Sequence, residues 1–196
     1  MAACGQGTVY FNNFVSGLLS APVYGPEPSS PTESRTGNTS SGIPAGTQTY
    51  NGPLIAGSGY TAQLWAAPGA DQSEGSLQAV LASTTTFRTG SASGFVLPPA
   101  GSTAIPNAPA GTIATLQLRA WDNQGGTVTS WDQAGTVGAT RGSSLVFNSQ
   151  PLGSSTATKL VGLQSFSLAV APEPSTFALG TLGTALIWGF RRKQRS

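Results

Sequence analysis

The 196-residue chain lacks histidine altogether, contains one cysteine, and is poor in charged side chains. The absence of histidine excludes Ser-His-Asp and Cys-His catalysis, Cys/His zinc sites and H-E-x-x-H metallopeptidases, because each of them needs an imidazole. The single cysteine, Cys4, cannot form an internal disulfide. Charged residues make up 8% of the chain, whereas a typical soluble domain has about 25%. Few ionisable groups are therefore available for chemistry of any kind.

The net charge of +2 arises at the carboxyl terminus alone. Four of the nine basic residues lie in the last six positions: Arg191, Arg192, Lys193 and Arg195. Residues 1–190 carry five basic and seven acidic side chains, a net charge of −2. Because a nucleic-acid-binding protein needs a basic patch that neutralises phosphates, we expect no nucleic-acid partner.

The first 57 residues contain two segments without a clear helix or strand pattern. Residues 1–4 resemble the end of a secretory signal peptide, since small residues are typical of its cleavage site. The basic start and apolar stretch of such a signal are missing, so we expect them upstream of Met1. Residues 20–57 contain six prolines among Ser, Thr and Gly, which predicts a loop region that is loosest over 25–45.

The remainder of residues 5–170 has the pattern of a β-rich extracytoplasmic domain. Apolar and polar residues alternate over Tyr60–Trp65 and Leu116–Ala120, and again over Val161–Val170 with a change of phase near Ser165. Short strands separated by Gly and Pro clusters predict an antiparallel β-sandwich or jelly-roll-like fold, with helices only as brief turns. The residues predicted to form the core are Leu64, Leu116, Leu118, Phe147, Phe166 and Leu168.

Two Trp-Asp pairs, Trp121-Asp122 and Trp131-Asp132, occur ten residues apart and suggest two strand ends that flank a hairpin. Facing carboxylates would suit a secreted glycoside hydrolase, whereas Asp beside Asn or Gly commonly caps a turn. We favour the capping interpretation and expect no enzyme activity. A calcium site that includes Asn123 lacks the ligand spacing of a dedicated loop, so neither a metal nor a cofactor is expected.

Tryptophans give a second hypothesis about the body. The alternation places Trp65 and Trp121 on the face opposite the predicted core, and Trp131 follows at the next Trp-Asp pair. These three side chains can either contact a polysaccharide or plug the end of a sandwich core.

The last 26 residues contain three different elements in a row. The first is the rigid motif Pro172, Glu173, Pro174 and Ser175, whose prolines cannot join a helix interior or a strand ladder. The second, Phe177–Phe190, has no charge in 14 residues and would span about 21 Å as a helix, which is marginal for a bilayer. Its large apolar residues are Phe177, Leu179, Leu182, Leu186, Ile187, Trp188 and Phe190. The third is the basic cluster, which stays cytoplasmic by the positive-inside rule.

This order of elements resembles the PEP-CTERM sorting signal of Gram-negative bacteria, a tail that is also labelled "ice-binding protein C-terminal". The resemblance covers residues 171–196 and implies that an exosortase, a membrane-embedded protease, processes the protein near the motif. It also implies a precursor in the inner membrane with a cytoplasmic carboxyl terminus, bound to lipid, and a mature form at the cell surface or in the extracellular matrix. The same apolar segment would also suit a permanent membrane anchor or a buried core helix.

The chain contains a second copy of the tetrapeptide at Pro26–Ser29, and neither an apolar segment nor a basic cluster follows it. We therefore predict sorting through the carboxyl-terminal copy only. The expected function is that of an exported surface or exopolysaccharide-matrix protein, structural or weakly carbohydrate-binding, with exopolysaccharide as its expected partner.

Overall fold

A computed structural model describes residues 5–170, which form a mainly β body as the alternation predicted. Within these residues there are fourteen strands and one α-helix. The first seven strands are β1 (Gln6–Tyr10), β2 (Phe14–Val15), β3 (Leu19–Ser20), β4 (Val23–Tyr24), β5 (Tyr60–Pro68), β6 (Gln78–Ala79) and β7 (Thr85–Thr86). The other seven are β8 (Thr103–Pro109), β9 (Ala114–Asp122), β10 (Thr140–Ser143), β11 (Phe147–Asn148), β12 (Thr158–Lys159), β13 (Phe166–Ser167) and β14 (Ala169–Val170).

Helical structure within the described range is brief, as expected. The α-helix α1 spans Trp131–Thr136. Single 3-10 turns occur at Gly57–Gly59, Glu74–Ser76, Leu81–Ser83, Gly90–Ala92 and Gln124–Gly126. The helix predicted over residues 176–190 lies outside the described residues.

The largest sheet is built around the two strands with the clearest alternation. Its order is β14-β10-β9-β5-β6, with β7 also paired to β5 and β11 to β9. Strands β5 and β9 run antiparallel over nine residue pairs, from Tyr60↔Asp122 to Pro68↔Ala114. The predictions for these two strands are confirmed.

A second sheet has the order β12-β1-β8, and two small ladders join β4 to β13 and β2 to β3. The β1–β12 and β4–β13 pairs are parallel, so the expectation of purely antiparallel pairing is wrong at these two places. Both pairs join the first strands of the chain to the end of the body, and alternation within one strand does not encode such distant partners.

One hydrophobic core receives side chains from both sheets, including Val9 of β1 and Ile105 of β8. Five of the predicted core residues are completely buried: Leu64, Leu116, Leu118, Phe166 and Leu168, each 0% exposed. The sixth, Phe147, is half-buried and packs against the cluster. Its two-residue strand β11 pairs with β9 beside Leu116 at the margin of the sheet, which leaves part of the ring in solvent.

The segment Val161–Val170 does not form one strand. A turn at Val161–Gly162, where Gly162 has a φ of 107°, precedes β13 and β14, and these two strands pair with different neighbours. The phase change near Ser165 therefore marks the point where an irregular stretch gives way to β13, and not a bulge within one strand. Strand β8 was not predicted from the sequence, because Pro106 and Pro109 are poor strand formers and lie in a strand with one paired neighbour.

The proline-rich segment, residues 20–57, is mostly irregular, as predicted, and between residues 25 and 56 it contains isolated bridges only. Buried Glu27 links distant parts of this segment to one another. The Glu27 carboxylate, 0% exposed, accepts hydrogen bonds from the Asn51 backbone N–H at 3.2 Å and from its Nδ2 at 3.3 Å. Its Oε2 lies 3.6 Å from Arg35 Nη1. The relative mobility of residues 25–45 stays a prediction.

Candidate functional site

The large sheet has a second face, directed away from the core, which we call the outer face. The register of β5, β9 and β10 places these side chains on it: Thr61, Gln63, Trp65, Gln117, Arg119, Trp121, Arg141 and Ser143. The alternate positions, such as Leu64 and Leu118, enter the core. The outer face is nevertheless covered, because residues 114–121 of β9 are buried on both sides.

Trp121 lies under this cover and is 0% exposed. Its ring packs with Val128, Ala134 and Ala139 in a small second cluster, and Nε1 donates a hydrogen bond to the Val128 carbonyl at 3.1 Å. A polysaccharide cannot reach this indole, so the prediction that Trp121 contacts carbohydrate is wrong. The alternative is correct in that the indole is buried, but Trp121 packs in the small second cluster and not at the end of the main core.

Trp65 and Trp131 are half-buried and form a tryptophan–arginine cluster with two guanidinium groups. The Arg119 guanidinium lies 3.8 Å from the centre of the Trp65 ring and 5.2 Å from that of Trp131. The Arg141 guanidinium lies 4.7 Å from the Trp131 ring centre, and its Nη1 donates to the Trp131 carbonyl at 3.0 Å. Cation–π contacts of this kind contribute about 0.5–2 kcal/mol each.

Arg119 is the buried member of the cluster, and other protein groups satisfy it. Its Nε donates to Gln117 Oε1 at 2.7 Å, and Nη2 lies 3.5 Å from Glu74 Oε1. Burial lowers the pKa of the Arg119 guanidinium, and the negative charges of Glu74 and Asp132 oppose that shift. The cation remains charged at neutral pH, since arginine keeps its proton in proteins.

This arrangement bears on carbohydrate contact at Trp65 and Trp131. A sugar ring stacks on an exposed aromatic face, and the Arg119 guanidinium already covers part of the Trp65 ring. The Trp65 Nε1 is buried and has no hydrogen-bond partner among the described residues. The contacts present at the cluster are therefore contacts of the protein with itself, and they join β5, β9, β10 and α1.

The two Trp-Asp pairs occupy different kinds of structure. Asp122 ends β9, and its Oδ1 accepts the Gln124 backbone N–H at 2.8 Å, which is the turn-capping role favoured by the sequence. Asp132 is exposed in the first turn of α1, so the predicted hairpin between two strand ends is wrong. The glycoside-hydrolase alternative stays a prediction. In the part of the chain that the structure describes, no group of three or more acidic or cysteine side chains is placed to hold a metal ion.

The start of α1 has a sequence signal that strand alternation does not detect. Ser130 caps the helix by accepting the Gln133 backbone N–H at 3.2 Å, and Gln133 Oε1 accepts the Thr129 N–H at 2.9 Å. Ser-x-x-Gln before a helix is a recognised start pattern. The sequence analysis did not single out Gln117, Arg119 and Arg141 as members of a site.

The sorting residues predicted at the carboxyl terminus lie outside the described residues. These are Pro172, Glu173, Pro174 and Ser175, the apolar segment 177–190 and the basic cluster 191–195. The last described residue, Val170, belongs to β14 at the edge of the large sheet and donates its N–H to the Pro31 carbonyl at 2.7 Å. Between residues 5 and 170 no helix is long and apolar enough to cross a bilayer.

The internal copy of the tetrapeptide, Pro26–Ser29, is part of the folded body. It forms a tight turn closed by the Ser30 N–H on the Glu27 carbonyl at 3.1 Å, and its glutamate side chain is buried. No protein-family model, curated protein or solved structure matches this chain.

Proposed function

We propose that this protein is an exported passenger of the PEP-CTERM type, processed by an exosortase and delivered to the cell surface or the extracellular matrix. The observation that carries the proposal is the order of three elements after Val170: the Pro172–Ser175 motif, the uncharged segment 177–190, and the basic cluster. Strand β14, Ala169–Val170, lies directly before residue 171, where the resemblance begins.

The contrast between the two tetrapeptide copies supports this reading. A protease needs an extended, accessible backbone, and Pro26–Ser29 is held in a turn whose glutamate is paired with Arg35 and Asn51. The carboxyl-terminal copy is followed by the apolar and basic elements that the internal copy lacks. Processing is therefore expected at one copy.

For the body we propose a mainly antiparallel sandwich or jelly-roll-like architecture with a structural or weakly carbohydrate-binding role. One core fed by two sheets supports this architecture. The low content of charged residues, 8%, is compatible with a neutral matrix environment. No catalytic residue is proposed, because each Asp of the Trp-Asp pairs has a local structural position.

The test is to produce the full chain behind a secretory signal peptide in hosts with and without an exosortase, and to determine the carboxyl terminus by mass spectrometry. With the exosortase, the surface form should end near Pro174. Without it, the intact chain should remain in the inner membrane. The Pro172→Ala/Pro174→Ala variant should remain there in both hosts.

The matched control is Pro26→Ala/Pro28→Ala, which makes the same change in the internal copy and should be processed like the wild type. Intact Ser196 on protein at the cell surface would disprove sorting and leave a permanent anchor. A terminus near Pro28 would disprove selection of the carboxyl-terminal copy.

A further inference from the structure

A polar groove of about 240 Å³ opens in the proline-rich segment, and none of its lining residues belongs to the tryptophan–arginine cluster. The stretches 36–38 and 44–48 form its two sides, and a residue just before β13 completes it. The side chains that matter for its chemistry are Thr36, Asn38, Pro44, Thr47, Gln48 and Gln164. None of the lining residues in the described part of the chain carries a formal charge.

The frame of the groove is held by hydrogen bonds of the buried Asn38. Asn38 Oδ1 accepts the Ser165 N–H at 2.8 Å, and Asn38 Nδ2 donates to the Pro44 carbonyl at 2.8 Å. The Asn38 carbonyl accepts the Gln48 N–H at 3.0 Å, which fixes the spacing of the two sides. Gly46 is required here, because a Cβ at this position would collide with the Asn38 carbonyl. A frame fixed in advance lowers the entropy cost of binding a ligand.

The lining chemistry selects a class of ligand. Amide and hydroxyl side chains both donate and accept hydrogen bonds, so Gln48, Gln164 and Thr47 can pair with hydroxyl groups in either direction. A charged ligand would find no charge-assisted partner among these side chains. The exposed Pro44 ring adds a small apolar surface for the C–H groups of a ligand. The volume equals that of about eight water molecules, which is small for a pocket that holds a drug-sized ligand.

We propose that this groove binds a single ring of a neutral saccharide chain, and that this groove, not the outer face, is the carbohydrate contact of the protein. The choice of ligand class rests on the proposed matrix function, whereas the position of the site rests on the groove itself. At the outer face Trp121 is buried and Arg119 covers the Trp65 ring. Among residues 5–170, the groove's lining includes no aromatic ring or guanidinium group that covers it in that way.

The test is an NMR titration of the ¹⁵N-labelled full chain in a detergent without a sugar headgroup. The probes are dextran, cello- and manno-oligosaccharides as neutral ligands, and oligo-alginate as an acidic one. At least one neutral probe should shift the Gly37 and Gly46 amides saturably at millimolar concentration. Gln48→Ala/Gln164→Ala should weaken that binding about tenfold or more, because two hydrogen-bonding amides are lost.

The matched control is Gln78→Ala, the same change on the exposed strand β6, and it should bind like the wild type. Equal thermal stability of the three proteins separates loss of binding from loss of fold. Unchanged binding by the double variant, or shifts confined to the outer face near Trp65 and Trp131, would overturn the proposal. So would binding of oligo-alginate alone, or the absence of a shift with every probe at 10 mM, which is roughly ten times a dissociation constant typical of weak binding. Exosortase processing is measured at the carboxyl terminus, so either proposal can fail without the other.

Discussion

Glu27 is a completely buried carboxylate within a segment that has almost no regular secondary structure. Removal of an ion from water costs several kcal/mol unless other groups replace the lost hydration. Here the Asn51 N–H and Nδ2 and the Arg35 guanidinium do so. The side chain thereby ties the start of the proline-rich segment to its end.

We expect Glu27→Ala to lower the free energy of unfolding by about 2–3 kcal/mol, because the hydrogen bonds that Asn51 donates to a buried charged carboxylate are lost. Arg35 is one-third exposed and can return to water, which limits the loss. Urea denaturation measures the change. The matched control Glu33→Ala removes an exposed carboxylate in the same segment and should stay within about 0.5 kcal/mol of the wild type. Equal effects of the two substitutions would contradict the anchoring role.

Arg119→Lys should lower the free energy of unfolding by about 1–2 kcal/mol, because an ammonium group cannot stack flat on Trp65 while bonding Gln117. The near-ultraviolet circular dichroism of the tryptophans should change as well. Arg88→Lys is the comparison: its Nε donates to the Val96 carbonyl at 3.2 Å, and no tryptophan contact of Arg88 occurs within the described residues. An unchanged tryptophan spectrum in Arg119→Lys would show that the cluster does not fix the indoles.

At the scale of elements, the alternation of apolar and polar residues predicted those strands whose pattern is visible within one stretch of the chain. Strands β5 and β9 are long enough to show their period, and their apolar residues form the centre of the core. Strand β8 was missed because its two prolines are atypical of a strand. Helix α1 was missed because its signal is the cap at Ser130, which strand alternation does not detect. The groove was beyond prediction, since Gln48 and Gln164 lie 116 positions apart and meet only through the fold.

The proline-rich segment should also give the protein a sensitivity to alkaline pH. The Tyr50 hydroxyl lies 2.7 Å from the Gly37 carbonyl oxygen and 3.0 Å from that of Ser165. Burial raises the pKa of Tyr50 above its ordinary value, and the charges of Tyr24 and Glu27 add to the rise. Because the folded protein keeps this proton more tightly than the unfolded chain does, the contribution is complete below about pH 10 and is lost as the pH rises further.

We therefore expect the free energy of unfolding to fall above about pH 10, and the fall to be shallower in Tyr50→Phe. This variant should also lose about 1 kcal/mol at neutral pH through the missing hydrogen bond. Part of the slope should remain, since burial raises the pKa of Tyr24 and Tyr60 too. Denaturation at a series of pH values measures the slope, with Tyr10→Phe as the matched control. A Tyr50→Phe slope equal to that of the wild type would exclude Tyr50 as its source.

At the scale of the whole molecule, charge and fold are separated along the chain. In the folded body, charged side chains are few, and the buried ones, such as Arg119 and Glu27, are paired with an opposite charge. The four basic residues that make the chain cationic follow the apolar segment at its end. The last six residues and the rest of the chain therefore have opposite net charge, so the removal that the sorting proposal requires would change the sign of the protein as well as its length.

Isoelectric focusing should detect that change independently of mass. The intact chain has an isoelectric point of about 9.0, and loss of residues 191–196 alone takes the net charge from +2 to −2. The surface form should therefore focus below pH 7, whereas the inner-membrane precursor focuses in the basic range.

Replacement of Arg191, Arg192, Lys193 and Arg195 by alanine should give an acidic precursor of full length that is less firmly retained in the membrane. This variant separates charge from cleavage, since it has the isoelectric point of the mature form and the mass of the precursor. A surface form that still focuses in the basic range would mean that the basic cluster stays attached, and the tail would then be an anchor and not a sorting signal.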